Sequence, residues 1–174
     1  KKATKAVSQF LKLHPHNISQ KVKIIVEHFR EHTQHKIGGK AKAMVVTSSR
    51  VHAVRYKKAI DDYVEENGYG LGALVAFSGT VEDDGFEYTE EGMNDDGDTQ
   101  SNLTTKFDTQ EYQILVVADK YQTGFDQPLL HTMYVDKKLS GVQAVQTLGR
   151  LNRTHPGKED TFVLDFQNEQ EDIY

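Results

Sequence analysis

The sequence predicts an α/β domain in which a parallel sheet carries helices on both faces, because short apolar strands alternate with amphipathic helices. Three apolar runs are typical of buried strands, at 41–47, 71–77 and 112–118. Apolar side chains recur at helical spacing in two other segments, near 17–35 and 49–66. A chain of 174 residues is long enough to bury the core of one such domain.

The two helices of the first half have clear start and stop signals. Asn17 is suited to cap the first helix and Ser48 or Ser49 the second, because a short polar side chain can bond the free amides of a first helical turn. Glycine-containing pairs end them, Gly38-Gly39 after the first helix and Asn67-Gly68 after the second.

The second half continues the alternation. A short helix is expected near 102–107, and the run 112–118 is the strongest strand signal in the chain. Another strand is expected at 132–135, a helix that begins at Ser140 follows, and a last strand covers 161–166. In open parallel sheets, ligands bind beyond the carboxyl ends of the strands, so we expect the candidate site at that edge.

Composition changes divide the chain into three parts. Residues 1–16 are predicted to be a basic leader from a preceding linker, residues 17–167 the α/β domain, and residues 168–174 the start of a following segment. Within the domain, residues 80–101 are acidic and poor in apolar side chains. We therefore expect a solvated loop or a mobile insertion there.

The net charge of -5 conceals an asymmetry. Nine Asp and Glu residues and no Lys or Arg lie between Glu82 and Asp98, and without them 21 basic residues face 17 acidic ones. The charge therefore does not argue against nucleic-acid binding. The absence of cysteine excludes disulfides, thiolate zinc sites and cysteine nucleophiles, and no apolar run is long enough to cross a bilayer. We expect a cytoplasmic protein with no membrane partner and no metal site of its own.

The segment from Gln146 to Arg153 is the sharpest functional signal. On an α-helix, Gln146, Gly149, Arg150 and Arg153 would form one stripe, because they are spaced at i, i+3, i+4 and i+7. Two neighbouring guanidinium groups repel each other unless an anion lies between them, and a polyphosphate suits their planar donor geometry. A solvated basic helix end is the alternative explanation.

Two other segments place polar groups after predicted strands. The run 112–118 leads into a loop with Thr123, Gly124 and Asp126, whose hydroxyl, carboxylate and amide groups are suited to a nucleotide or a sugar-phosphate. Ser49-Arg50 and Ser78-Gly79 follow the two earlier strands. Serine hydroxyls and helix amides there can hold a phosphate, although ordinary turns and helix caps explain the same residues.

Taken together, these segments resemble the second RecA-like lobe of superfamily 2 helicases over roughly residues 17–167. Gln146-x-x-Gly149-Arg150-x-x-Arg153 resembles the sixth helicase motif, and the loop with Thr123, Gly124 and Asp126 resembles the fifth. The sequences of three segments are similar to those of the motor (R) subunit of type I restriction-modification enzymes: 124–128, 131–137 and 146–153.

The resemblance implies a role for each matching residue. Arg150 and Arg153 would face ATP as catalytic arginines with Gln146 beside them, and Gly124, Asp126 and Gly149 would lie at the nucleotide. Contacts to the DNA backbone would come from the remaining matched positions, which are Ser49, Arg50, Ser78, Gly79 and Thr123.

The resemblance also implies what this chain lacks. Neither Gly39-Lys40 nor Gly157-Lys158 is part of a G-x-x-x-x-G-K-[ST] phosphate loop, and no Asp-Glu pair of the Mg²⁺-binding type occurs. ATP and Mg²⁺ would be held mainly by a first RecA-like lobe in the same full-length chain, and this fragment alone would be inactive. The expected partners are that lobe, double-stranded DNA, and the modification and specificity subunits of a restriction complex.

Two alternatives remain open from the sequence. The first is a non-catalytic module with the same fold that docks a protein through the acidic segment 82–98. The second is the lobe of another superfamily 2 motor, such as an RNA helicase or a chromatin-type translocase.

Overall fold

A six-stranded parallel sheet forms the centre of the chain. The computed structural model describes residues 7–98, 102–119 and 125–168. The strands of this sheet, in chain order, are β1 (Val7–Lys12), β2 (Lys42–Thr47), β3 (Ala73–Ala76), β6 (Ile114–Val117), β7 (Leu130–Asp136) and β8 (Asp160–Asp165). They lie side by side in the order β1-β8-β7-β2-β6-β3, and every neighbouring pair is parallel. The predicted α/β class is confirmed.

Helices cover both faces of the sheet, which is why the inner strands β2, β6 and β7 are buried along their whole length. The helices are α1 (Ile18–His28), α2 (Lys36–Gly39), α3 (Arg50–Glu66), α4 (Glu90–Met93), α5 (Leu103–Phe107) and α6 (Gly141–Leu148). On one face α1 and α3 pack on Val45 and Val116. On the other face α5 and α6 pack on Met44 and Leu115. Within the described ranges, no helix combines the length and apolar content that crossing a bilayer requires.

The predicted helix caps are present at two starts. The Asn17 side chain accepts a hydrogen bond from the amide of Gln20 at 2.8 Å, and the Ser49 hydroxyl accepts one from the amide of His52 at 3.1 Å. After α1 the backbone continues as a π-helical turn, Phe29–Thr33, and then as the short α2. The predicted first helix, near 17–35, is therefore an α-helix followed by a π-helical turn rather than one regular helix.

The predicted leader contributes a strand to the sheet. Val7–Lys12 pairs in parallel with β8, from Val7 opposite Asp160 to Lys12 opposite Asp165. The domain start at residue 17 was thus placed too late for this part of the chain. An edge strand has only one neighbour, so its sequence needs no continuous apolar run, and this one contains Ser8 and Gln9.

Residues 80–93 of the acidic segment form a hairpin and the short helix α4, contrary to the expectation of a solvated loop or a mobile insertion. Thr80–Asp83 (β4) and Phe86–Thr89 (β5) form an antiparallel hairpin. Asp84 and Gly85 have φ angles of 56° and 83°, as a tight hairpin turn requires. The Asn94 side chain then bonds both the amide and the carbonyl of Val75, at 2.9 and 2.7 Å, and fixes the segment to β3. The Asp-Gly pair between apolar residues was the sequence signal for this hairpin.

Histidine 28 gives the fold a predictable response to acid. Its Nδ1 lies 2.8 Å from the Tyr134 hydroxyl, and its ring stacks on Phe162 at 4.7 Å. Burial, followed by the nearby His32 and His131, lowers the pKa of His28 from 6.5 to about 4. The unfolded chain therefore takes up this proton at a higher pH than the folded chain, so we expect the free energy of unfolding to fall as pH decreases from 6.5 towards 4.

Urea unfolding of wild type and His28→Gln at pH 7 and pH 5 measures this contribution. The glutamine variant cannot titrate, so its stability should change less between the two pH values. Equal changes in both proteins would show that His28 is not held neutral by the fold.

Candidate functional site

The arginine segment is not a continuous α-helix. Helix α6 ends at Leu148, a 3-10 turn covers Gly149–Asn152, and Arg153 follows in an extended conformation with φ of -71° and ψ of 135°. The predicted stripe of four residues on one helix is therefore wrong beyond Gln146. The buried side chain of Leu151 anchors the turn in the core. Both arginines nevertheless contact the same short segment, at Phe125 and Asp126.

Arg150 is half-buried and incompletely bonded. Its Nη1 donates to the carbonyl oxygen of Phe125 at 3.3 Å. Its Nε and Nη2 are buried, and neither has a hydrogen-bond partner in residues 7–98, 102–119 and 125–168. Burial lowers the pKa of the Arg150 guanidinium. Buried polar atoms nearly always have a partner, so these two nitrogens indicate an acceptor that the described residues do not supply.

Arg153 lies in solvent beside a carboxylate. Its Nη1 is 3.0 Å from Oδ2 of Asp126, and the two side chains are 59% and 52% exposed. An ion pair this exposed contributes little to stability, and an external anion can compete for the arginine. Gln146 is exposed on α6, together with Val142 and Val145.

No atom of the described residues packs closely against Gly149 at the position where a side chain would begin. A Cβ atom at this position would have no heavy atom within 4 Å, and its φ of -61° is ordinary for a helix end. The space beside Gly149 is open. Close approach to this glycine therefore requires a group from outside the described residues. Gly124 and Thr123 lie outside the described residues.

Lys158 ties the arginine turn to the start of β7. Its Nζ donates to the carbonyl oxygens of Leu151, Arg153 and Pro128 at 2.9, 2.7 and 3.2 Å. Burial, with the charge of Arg153 adding to it, lowers the pKa of Lys158 to about 8. Sequence reasoning considered this lysine only as a phosphate-loop residue, and no local pattern indicates its contacts.

These contacts place the arginines at the amino end of β7, because Pro128 comes two residues before that strand begins. The expectation that they lie at the carboxyl edge of the sheet is wrong. A helix that connects two parallel strands must run back along the sheet, so the end of α6 lies near the amino end.

The other predicted residues do meet at the carboxyl edge. Nη1 of Arg50 donates to the carbonyl oxygen of Ser78 at 2.7 Å and lies 3.5 Å from that of Thr80. Gly79 has a φ of +75°, and a Cβ there would be 3.0 Å from Nη1 of Arg50. Ser49 caps α3 next to this contact. The structure therefore brings Ser49, Arg50, Ser78 and Gly79 together on an exposed surface.

Asp136 is the buried centre behind this edge. Its carboxylate accepts hydrogen bonds from Lys21 Nζ at 2.8 Å, from the Tyr56 hydroxyl at 2.8 Å and from Gln167 Nε2 at 2.7 Å, and it lies 3.3 Å from His52 Nε2. Burial opposes its ionisation, but these partners hold the pKa of Asp136 well below its usual range. No role for Asp136 was predicted from the sequence, because its partners are remote in the chain.

His52 connects this centre to the exposed edge. Its Nδ1 accepts a hydrogen bond from the amide of Ser48 at 3.2 Å and lies 2.9 Å from the Ser48 hydroxyl. Because Nε2 faces the carboxylate of Asp136, it carries the proton, and Nδ1 is left as the acceptor. His52 therefore links Ser48, at the exposed edge, to Asp136.

Comparison with known proteins finds relatives among type I restriction enzyme subunits. Residues 87–168 match the family model of type I restriction enzyme subunit R domain 3. The chain is 33% identical over 171 residues to a protein of Methanocaldococcus jannaschii named as the type I restriction enzyme MjaVIIP endonuclease subunit, covering 91% of this chain and 16% of that protein. The chain is a homologue of type I restriction enzyme R subunits. The resemblance noted in the sequence is confirmed.

Two solved structures superpose on this R-subunit homologue and show which fold it has. A fragment of an HsdR subunit of a type I restriction enzyme from Vibrio vulnificus YJ016 superposes with a TM-score of 0.63 at 14% identity, covering 98% of this chain and 35% of that one. Domain 2 of the DEAD-box helicase Mss116p, bound to an RNA duplex, superposes with a TM-score of 0.56 at 20% identity, covering 91% and 53%. The fold is that of a RecA-like helicase second domain.

The R-subunit homologue is short compared with its relatives. It spans 16% of the MjaVIIP subunit and 15% of the MjaVIIIP endonuclease subunit from the same organism, to which it is 29% identical.

Proposed function

We propose that this chain is the second motor lobe of an ATP-dependent DNA translocase, as part of a type I restriction enzyme R subunit. In this proposal Arg150 and Arg153 are arginine fingers for ATP held by a first lobe, with Gln146 beside them. The residues of the carboxyl edge contact the DNA backbone. The lobe does not hydrolyse ATP alone.

The main support for the proposal is the incomplete hydrogen bonding of the half-buried Arg150. Two buried guanidinium nitrogens without a partner among the described residues fit the oxygens of a phosphate, since Arg donates two parallel hydrogen bonds to such a group. A third buried atom without a partner there, the Thr147 hydroxyl, lies one helical turn earlier. An oxyanion brought by another lobe would supply acceptors for Arg150.

The surroundings of Arg150 suit a nucleotide. Arg153 can exchange its exposed contact with Asp126 for a phosphate oxygen, which leaves Asp126 free to accept from a ribose hydroxyl. The open space beside Gly149 admits the ligand, and Gly124 is proposed to contribute its backbone. The exposed Val142 and Val145 give the first lobe an apolar surface to cover.

ATP with Mg²⁺, when bound, supplies the γ-phosphoryl group and its counter-charge. The residues of this chain then bind and orient that group. Arg150 and Arg153 place positive charge where negative charge develops on the phosphoryl oxygens, and Gln146 provides an amide at the same surface. No phosphate loop is present in the sequence, so the remaining ligands must come from the first lobe.

The proposed DNA contact uses the opposite edge of the sheet. The guanidinium of Arg50 and the hydroxyls of Ser49 and Ser78 are exposed there, and the backbone at Gly79 is unobstructed by a side chain. Such donors suit phosphate oxygens and carry no base specificity. Thr123 is proposed to join them. Double-stranded DNA and the modification and specificity subunits are the proposed partners.

Replacing Arg153 with alanine in the full-length R subunit tests the proposal. We expect DNA-stimulated ATP turnover to fall about 10²-fold, because one donor to the developing charge is lost. Arg55→Ala is the matched control, since Arg55 also pairs with an aspartate at the surface, Asp83, at 2.9 Å. The control should keep its turnover. Equal turnover in Arg153→Ala and wild type would refute the role of this arginine.

A further inference from the structure

The ammonium group of Lys158 has all three of its hydrogens used by backbone carbonyls. Two of these carbonyls, of Leu151 and Arg153, belong to the turn that carries both arginines. The third, of Pro128, belongs to the segment that also carries Asp126. A lysine ammonium has three donors and no acceptor, so these three contacts satisfy it completely.

We propose that Lys158 is a positioning residue for the nucleotide site, one that holds the arginine turn and the Asp126–Pro128 segment in a fixed relation. This inference rests on the proposed function, because it concerns how the two arginines are aimed at a phosphate. Lys158 itself is buried at 6% exposure, and its three donors are already used by backbone carbonyls, so we assign it no direct contact with the nucleotide.

The turn needs such a clamp because of its geometry. The last carbonyls of a helix have no partner within the helix, and the chain leaves its 3-10 turn directly into an extended segment at Arg153. Short 3-10 turns also have poorer hydrogen-bond geometry than α-helices. Lys158 supplies hydrogen-bond donors to the carbonyl oxygens of Leu151 and Arg153.

The same lysine limits the relative movement of the two arginines. Arg150 bonds the carbonyl of Phe125, and Arg153 pairs with Asp126. Without Lys158, the turn would still be joined to that segment by these two polar contacts and by the packing of Leu151 in the same apolar cluster as Phe125. One of the two polar contacts is long and the other is exposed to solvent. We infer that the guanidinium groups would lose their fixed positions.

Lys42 provides a matched control in the same molecule. It is buried at 1% exposure, its Nζ donates to the carbonyls of Thr109 and Tyr112 at 2.7 and 2.5 Å, and burial lowers its pKa to about 8. Those carbonyls precede β6 and do not belong to the arginine turn. The two lysines therefore make similar contacts with the backbone, but only Lys158 holds the turn.

The experiment compares Lys158→Met with Lys42→Met in the full-length R subunit. We expect both variants to lower the melting temperature. We expect Lys158→Met alone to reduce kcat for DNA-stimulated ATP hydrolysis, by about 10²-fold per folded molecule, with a much smaller change in KM for ATP. Retention of kcat in Lys158→Met, or an equal loss in both variants, would overturn the inference.

A second variant covers the case in which Lys158→Met does not fold. Lys158→Gln keeps two N–H donors, and we expect it to fold with kcat between those of wild type and the methionine variant. Wild-type kcat in Lys158→Gln would overturn the inference. The proposed function is tested separately by the arginines: if Arg150 and Arg153 variants lose turnover while Lys158 variants behave like Lys42 variants, only the positioning role fails.

Discussion

Replacement of Arg150 by methionine in the full-length R subunit is expected to reduce DNA-stimulated ATP turnover by about 10³-fold or more. A guanidinium aimed at a transferring phosphoryl group stabilises charge that develops in the transition state, so its loss acts on kcat. Methionine is unbranched like arginine and fills a similar path through the core, which separates loss of charge from loss of packing.

The same substitution should not weaken the fold. Two buried nitrogens of Arg150 lack partners among the described residues, and burial already disfavours its charged form. A buried polar atom without a partner costs about 1–3 kcal/mol, so methionine should leave the free energy of unfolding of this chain unchanged or raise it. Urea unfolding measures this effect, and Arg55→Met is the control because Arg55 pairs with Asp83 at the surface.

The combination of the two results is what distinguishes a functional arginine from a structural one. If Arg150 had only a structural role, its replacement would lower the free energy of unfolding and the ATP turnover together. Turnover at the wild-type level in a stable Arg150→Met protein would contradict the arginine-finger proposal. A marked loss of stability would instead mean that residues outside the described ranges satisfy Arg150 in the free chain.

The parts of the fold that the sequence predicted are those set by local patterns. The run Ile114–Val117 is apolar because both faces of its strand are buried, and that requirement is visible in four consecutive residues. The caps at Asn17 and Ser49 are likewise local, since the side chain bonds an amide three residues later. In such cases the interaction and its sequence signal lie in the same short segment.

The parts that the sequence did not predict depend on distant residues. Asp136 is recognisable as a centre only once Lys21 and Tyr56, which are 115 and 80 positions away, are brought to it. Lys158 acts on carbonyl groups, which leave no trace in side-chain patterns. The predicted stripe from Gln146 to Arg153 was wrong for a local reason. It assumed α-helical spacing through Gly149, whereas the α-helix ends at Leu148.

The second large effect is expected for Asp136→Ala, which should destabilise the chain by about 3–5 kcal/mol. The substitution leaves the ammonium of Lys21, whose side chain is only 10% exposed, without its carboxylate. It also removes the acceptor of the buried Tyr56 hydroxyl. Removing one partner of a buried ion pair costs more than the pair contributes, because the other charge stays buried and uncompensated.

Denaturant unfolding of Asp136→Ala, Asp136→Asn and Asp83→Ala gives the measurement. Asparagine keeps one acceptor oxygen and should show an intermediate loss. Removal of Asp83 should have a smaller effect, because the side chain of its partner Arg55 is 58% exposed and stays hydrated without the carboxylate. The wild-type contribution of Asp136 should also disappear in acid. Its folded pKa lies below the ordinary value of 3.8, so the stability it gives is present above that pH and is lost as the pH falls further.

The consequence for function follows from His52, which lies between Asp136 and Ser48. When the carboxylate is removed, Nε2 of His52 no longer has the acceptor that fixes its tautomer and its ring, and the segment Ser48–Arg50 loses that support. Asparagine keeps a single acceptor oxygen for the four groups that now face the carboxylate, so the support of His52 is weakened rather than abolished. Asp136→Asn in the full-length subunit should therefore weaken DNA binding at neutral pH even where the protein remains folded, with Asp83→Asn as the control. If DNA affinity stays unchanged while stability falls, Asp136 supports the core alone, and the carboxyl-edge surface is positioned by its backbone contacts.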